Sequence, residues 1–328
     1  MSALFRKHLF KLAVVILVFI VGVIGFSTLS QESDSLPSSA TFETPSKFDD
    51  SGLNVDFSQS SIDLNQVLNG GPGKDGIPAL VDPIFISQKE ARVPNETQVI
   101  YVENNGIERL YPYNILVWHE IVNDVVGGTP LIITFCPLCG SAIVYEATVD
   151  NQVIEFGVSG YLYESNMLMY NRGDSESLWS QSLGRAVVGN KTGQELEHYP
   201  FQLLSYGEAK SRYPSAQVLS TDTGFSRNYD GNPYSGYEDT GELTFPVSTT
   251  DARYPAKEIF YIVPLEGMSI AVRQDKADGV HRVPDTTIDI TFDRGVITAN
   301  WGEAELPGYY EMWFSWATHH QENGIIFD

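Results

Sequence analysis

The chain contains two cysteines, and they lie close together, in Thr134-Phe135-Cys136-Pro137-Leu138-Cys139-Gly140-Ser141. An apolar run, Leu131 to Phe135, leads into this stretch, and another, Ala142 to Tyr145, leads out. Short apolar runs flanking Pro and Gly read as two buried strands joined by a tight turn. Pro137 fixes one φ angle, and Gly140 permits a positive φ directly after the second sulfur. Any fold of this chain must therefore bury two neighbouring strands and hold both sulfurs on the turn between them. Three chemistries fit such a turn: a metal knuckle, a redox dithiol, or a short-range disulfide.

Charge narrows the setting. The net charge is −22 over 328 residues. The first 26 residues carry Arg6, Lys7 and Lys11 and no acid, so the remainder stands at −25. Such a body offers no basic patch to neutralise phosphates, which argues against nucleic acid as a partner. Leu12 to Phe26 is uncharged and follows the three cations. A positive flank before an apolar segment reads as a signal-anchor, with the body on the extracytoplasmic side of the cell membrane. That compartment is often oxidising, which bears directly on the two thiols.

The remaining chain predicts a β-rich α+β fold, mostly antiparallel, with a few short helices. Asn104-Asn105-Gly106 between two β-forming runs is a hairpin signal. Tyr113 to Val122 reads as a short helix with Ile115, Trp118 and Val122 on one face and His119 leaning toward it. Ser205-Tyr206-Gly207-Glu208 fits a capping box opening a second helix. Glu96–Gly106 resembles Ala256–Gly267, and Tyr199–Tyr206 resembles Tyr309–Trp316, so a degenerate two-part repeat is expected. The organisation read from these features is a signal-anchor over 1–26, a flexible linker over 27–69, a cysteine-bearing first half over 70–250 and a shorter second half over 251–328.

Cys-Pro-x-Cys-Gly has the form of one zinc-ribbon knuckle, and this chain has only one, so a metal here needs other ligands. His119 and Met169 are the candidates, with Met167 beside it. Two thiolates, an imidazole and a thioether suit copper(I); two cysteines and a histidine completed by a carboxylate or water suit zinc. Glu120 reads as helix-end solvation or as support for a ligand. The expectation is one copper or zinc ion on Cys136, Cys139, His119 and Met169. The runner-up is a thiol–disulfide oxidoreductase, although β-branched Ile143 and Val144 after the motif remove the helix N-terminus that usually activates such a thiol. The third reading is a small-ligand module centred on the Tyr- and Gly-rich segment Thr221 to Tyr237, with Arg227, Tyr229, Asp230 and Tyr234 as binding residues and the cysteines as a staple.

The order of segments also resembles a bacterial and archaeal family of exported proteins of unknown function. The resemblance rests on Trp118 to Asp124, Cys136 to Gly140, Gly157 to Gly160 and Leu178 to Gln181, with Asp75 to Leu80, Thr223 to Arg227, Phe245 to Val247 and Trp313 to Ala317 in support. It covers about residues 74 to 328. It implies location outside the cytoplasm and a residue set, and no mechanism.

Overall fold

The computed structural model describes residues 45–277, 279–283, 286–320 and 323–327. The signal-anchor and residues 27–44 of the expected linker lie outside the described residues. Among the described residues, no helix is long and apolar enough to cross a membrane.

The fold class is as expected. Strands form five sheets, and three seven-residue helices accompany them among the described residues: α1 (Tyr113–His119), α2 (Tyr206–Arg212) and α3 (Trp313–His319). Most strand pairs are antiparallel; three sheet pairings are parallel.

An eight-stranded sheet carries the cysteine turn. Its order is Leu80–Val81, Ile121–Val126, Thr129–Cys136, Ser141–Glu146, Tyr309–Met312, Ile259–Leu265, Met268–Arg273 and Gly324–Phe327. The first four strands precede residue 250 and the last four follow it. They meet where Tyr310 pairs with Ala142. Thr129–Cys136 is buried on both faces from Leu131 onward. This accounts for a continuous apolar run in place of an alternating one.

The local signals fold as their chemistry requires. Asn105 and Gly106, at φ 49° and 79°, make the two-residue turn between Gln98–Asn104 and Ile107–Pro112, matching the twist of the flanking strands. Ser205 Oγ accepts from the Glu208 N–H at 3.3 Å and caps α2.

Two expectations need correction. Helix α1 stops at His119, three residues early. Glu120 turns to φ 57°, ψ −30° while its N–H still donates to Leu116 O at 2.7 Å. Ile121 and Val122 then enter the sheet opposite Thr134 and Ile133, where β-branched side chains pack better than in a helix. Residues 45–69, expected as linker, are folded. Val67, Leu68 and Asn69 pair with Tyr163, Leu162 and Tyr161. Phe48, Phe57 and Leu64 are buried, with the Phe48 and Phe57 rings stacked at 4.3 Å. Few apolar residues are present there, yet each is spent on the same neighbouring sheet.

Candidate active site

Cys136 closes its strand opposite Ser141, and the Cys139 N–H donates to Cys136 O at 3.2 Å. Gly140 has φ 56°, and a Cβ there would stand 2.9 Å from Ile259 Cδ1. Glycine is thus required for both conformation and space. The turn is clamped from the far half of the sheet, where the Met312 N–H donates to Cys139 O at 2.8 Å.

Both cysteines are free and buried. Their sulfurs are 3.0 Å apart, with the Cys139 thiol donating to Cys136 Sγ. Asn166 Nδ2 donates to Cys139 Sγ at 3.1 Å, and Ser165 O lies 3.5 Å from the same sulfur. Burial pushes the Cys139 thiol well above its ordinary pKa, reinforced by its bond to Cys136 and by the nearby Glu311. Glu311 is itself fully buried. Its Oε1 accepts from Ser315 Oγ at 2.6 Å, and burial raises the carboxyl to about 7 against stabilising hydrogen bonds from Ser315 and Ser182.

His119 does not join the sulfurs. Its Nδ1 lies 2.8 Å from Pro78 O, and its Nε2 lies 2.7 Å from Tyr229 OH. A carbonyl accepts only, so Nδ1 carries the proton and Nε2 accepts from the phenol. No lone pair is left for a metal. Burial also holds the ring's pKa down, against the bond to Pro78 and with Arg227 acting in the same direction as burial. Among the described residues, no group of three or more His, Cys, Asp or Glu side chains is placed to hold a metal ion. Met169 is fully buried, in register with Val158 and Trp179, which is a packing position. The expected set of Cys136, Cys139, His119 and Met169 is therefore not assembled around a vacant imidazole.

The Thr221–Tyr237 segment lies across α1 and the cysteine turn. Asn114 Nδ2 donates to Tyr229 O at 3.0 Å, Trp118 Nε1 to Gly231 O at 3.1 Å and Tyr237 OH to Leu138 O at 2.9 Å. Of the four expected binding residues, Arg227 and Asp230 are exposed to solvent, Tyr229 is committed to His119, and Tyr234 lines a cavity. That cavity, of about 540 Å³, is bordered by Glu120, Leu138, Met167, Tyr234, Tyr237 and Phe245, among others. Glu120 is 6% exposed. Burial raises its carboxyl to about 8, against a stabilising hydrogen bond from Tyr234. The sequence marked Glu120 only as helix-end solvation or support for a ligand, since the expected helix ran on to Val122. The clash between a helix pattern and β-branched Ile121-Val122 was the available signal.

A family model described as "Protein of unknown function (DUF3179)" matches residues 74–304. The chain belongs to this DUF3179 family. Neither curated proteins nor solved structures show a match to it. The matched region of this DUF3179 chain brings together the segments singled out in the sequence. Gln181, at the end of Leu178-Trp179-Ser180-Gln181, accepts from Ser141 Oγ and Asn166 Nδ2, each at 2.7 Å, and donates to Thr134 Oγ1 at 3.1 Å. One buried amide thus ties the strand before the cysteines, the strand after them and the donor to Cys139. Asn123, from the Trp118 to Asp124 segment, bonds both Phe156 N–H and Phe156 O, at 2.8 and 2.9 Å. This fixes the strand that carries Gly157 to Gly160. There, Ser159 Oγ accepts from the Tyr161 N–H at 3.1 Å within a register shift, a turn-capping role.

Proposed function

We propose that the protein is a thiol-based redox protein in which Cys136 and Cys139 cycle between dithiol and disulfide. The observation that carries this reading is the 3.0 Å thiol-to-sulfur hydrogen bond between them, on a turn held by Gln181, Asn166 and the Met312 N–H. A dithiol in this arrangement has unequal members. Burial raises the Cys139 thiol well above its ordinary pKa and Asn166 holds its sulfur, so Cys136 is the attacking sulfur and Cys139 the resolving one.

The exchange balances with a disulfide as oxidant. Cys136 Sγ attacks one sulfur of R–S–S–R, forming a mixed disulfide and releasing R–S⁻, which takes a proton to become R–SH. Cys139 Sγ then attacks Cys136 Sγ, forming the Cys136–Cys139 bond and releasing the second R–SH. Two S–H bonds are lost from the protein and two appear on the product. Burial of both sulfurs favours a small disulfide over a large one.

The apolar segment Leu12 to Phe26 supports placing this chemistry on the outer side of the membrane, with the anchor retained. A compartment without a strong thiol buffer lets such a pair sit in either state.

Trapping tests the assignment of roles. In Cys139→Ser, the mixed disulfide has no resolving thiol and should accumulate on treatment with a small aromatic disulfide, visible as added mass on Cys136. In Cys136→Ser, little adduct should form. Equal labelling of the two variants, or none in either, would contradict the proposal.

A further inference from the structure

The cavity above the cysteine turn has a composition that selects its occupant. Its walls are mainly aliphatic and aromatic, including Ile77, Leu138, Val158, Met167 and Phe245, and no Lys, Arg or His among the described residues borders it. The ionisable side chains at its border are Glu120 and three tyrosines, Tyr161, Tyr234 and Tyr237. All three phenols are pushed up, chiefly by burial, and stay neutral. Cys136 and Cys139 lie near enough to Tyr234 and Tyr237 to add to that upward push. An anion would meet the Lys257 ammonium only where it is already held by Tyr237 O and Thr240 Oγ1, inside a chain of net charge −22.

A cation is disfavoured for a different reason. The ring of Tyr237 already carries an ammonium: Lys257 Nζ stands 3.4 Å from its centroid and is tied to Tyr237 O and Thr240 Oγ1. A second cation would meet this charge and lose one aromatic face. Glu120 meanwhile sits in a backbone conformation that non-glycine residues avoid, at φ 57° and ψ −30°, and such strain concentrates at binding sites. Its backbone is pinned by bonds to Leu116 O and from Phe135 N, and its carboxyl borders the cavity.

We propose that this cavity binds a small, neutral, largely apolar ring compound bearing a carbonyl, with the Glu120 carboxylic acid donating a hydrogen bond to the carbonyl oxygen. The cavity volume lies in the range of small-molecule sites, about 300–1,000 Å³. A buried acid kept neutral is a strong donor in such a setting, because low local dielectric strengthens the hydrogen bond. The redox reading can fail without touching this one, since neither sulfur forms part of the recognition.

Four ligands of one shape test it on the full chain: 1-tetralone, tetralin, 1-aminotetralin as the cation, and tetralin-1-carboxylate as the anion. Binding is read by saturation-transfer NMR against wild type, Glu120→Gln and Glu120→Leu, so that any uptake by the N-terminal segment is common to all three chains. Tetralone should bind saturably, and about tenfold more tightly than tetralin, the effect of one buried hydrogen bond. Glu120→Gln, whose amide still donates, should keep that preference. Glu120→Leu should erase it while still binding tetralin, which also shows that the cavity has survived the substitution. Tighter binding of the ammonium or of the carboxylate would overturn the proposal. So would an equal preference for tetralone in Glu120→Leu, or no saturable binding of tetralone at all.

Discussion

Glu120 shows how one residue can set the character of a site. Its carboxyl holds a proton up to about pH 8, because burial leaves the charged form unsolvated. The ordinary value is 4.5. Between these two values the folded chain keeps a proton that the unfolded chain has released, so stability falls as pH rises through this window and levels off above it. Glu311 acts in the same direction up to about 7. Each such group contributes a slope of at most roughly 1.4 kcal/mol per pH unit. Urea midpoints measured from pH 5 to pH 9 should therefore decline, and Glu120→Gln should decline less steeply between pH 6 and 8. Parallel slopes for the two proteins would show that Glu120 ionises normally. His119 is a contrasting case. Both its nitrogens are used within the protein, by Pro78 and Tyr229, so an inward-leaning histidine upstream of two cysteines became a clasp for the 221–237 segment and not a ligand.

At the level of elements, what was legible in the sequence is what local chemistry determines. The Asn105-Gly106 turn, the Ser205 cap and the turn between Cys136 and Gly140 each depend on backbone preferences within a few residues. The end of α1 was less legible, because it is decided by strand partners at Thr134 and Ile133 and not by the helix's own periodicity. The fold of residues 45–69 is illegible locally for a related reason. Their few apolar side chains find a sheet whose strands come from about a hundred residues later, through pairs such as Val67 with Tyr163. Deleting residues 45–69 should expose Tyr161, Leu168 and Leu178, which share a buried cluster with Phe48, Phe57, Leu64 and Val67. The cost should be on the order of 5 kcal/mol, taking a few buried apolar side chains at about 1.5–3 kcal/mol each. Thermal melting of the deleted and intact chains checks this, and matching midpoints would mean the segment is an appendage.

At the scale of the molecule, the cysteine turn is joined to strands from the C-terminal part of the chain. Tyr310 pairs with Ala142, Met312 donates to Cys139 O, and Ile259 and Met312 close over Gly140. None of these long-range pairings has a signal in the sequence, since the register between distant strands depends on the whole packed sheet. The same pairings explain why a turn so short can hold two sulfurs in a fixed relation, with Glu311 close to Cys139. The central claim concerns those sulfurs, and an equilibrium redox titration tests it most directly. The full chain would be brought to equilibrium in glutathione buffers of graded potential, its free thiols trapped with a maleimide, and its intact mass recorded. The account predicts one two-electron transition, from two labelled thiols to none, reversible without unfolding and absent in Cys136→Ser. Two labelled thiols across the whole range of potentials would contradict it, as would a disulfide that reduces only once the chain is denatured.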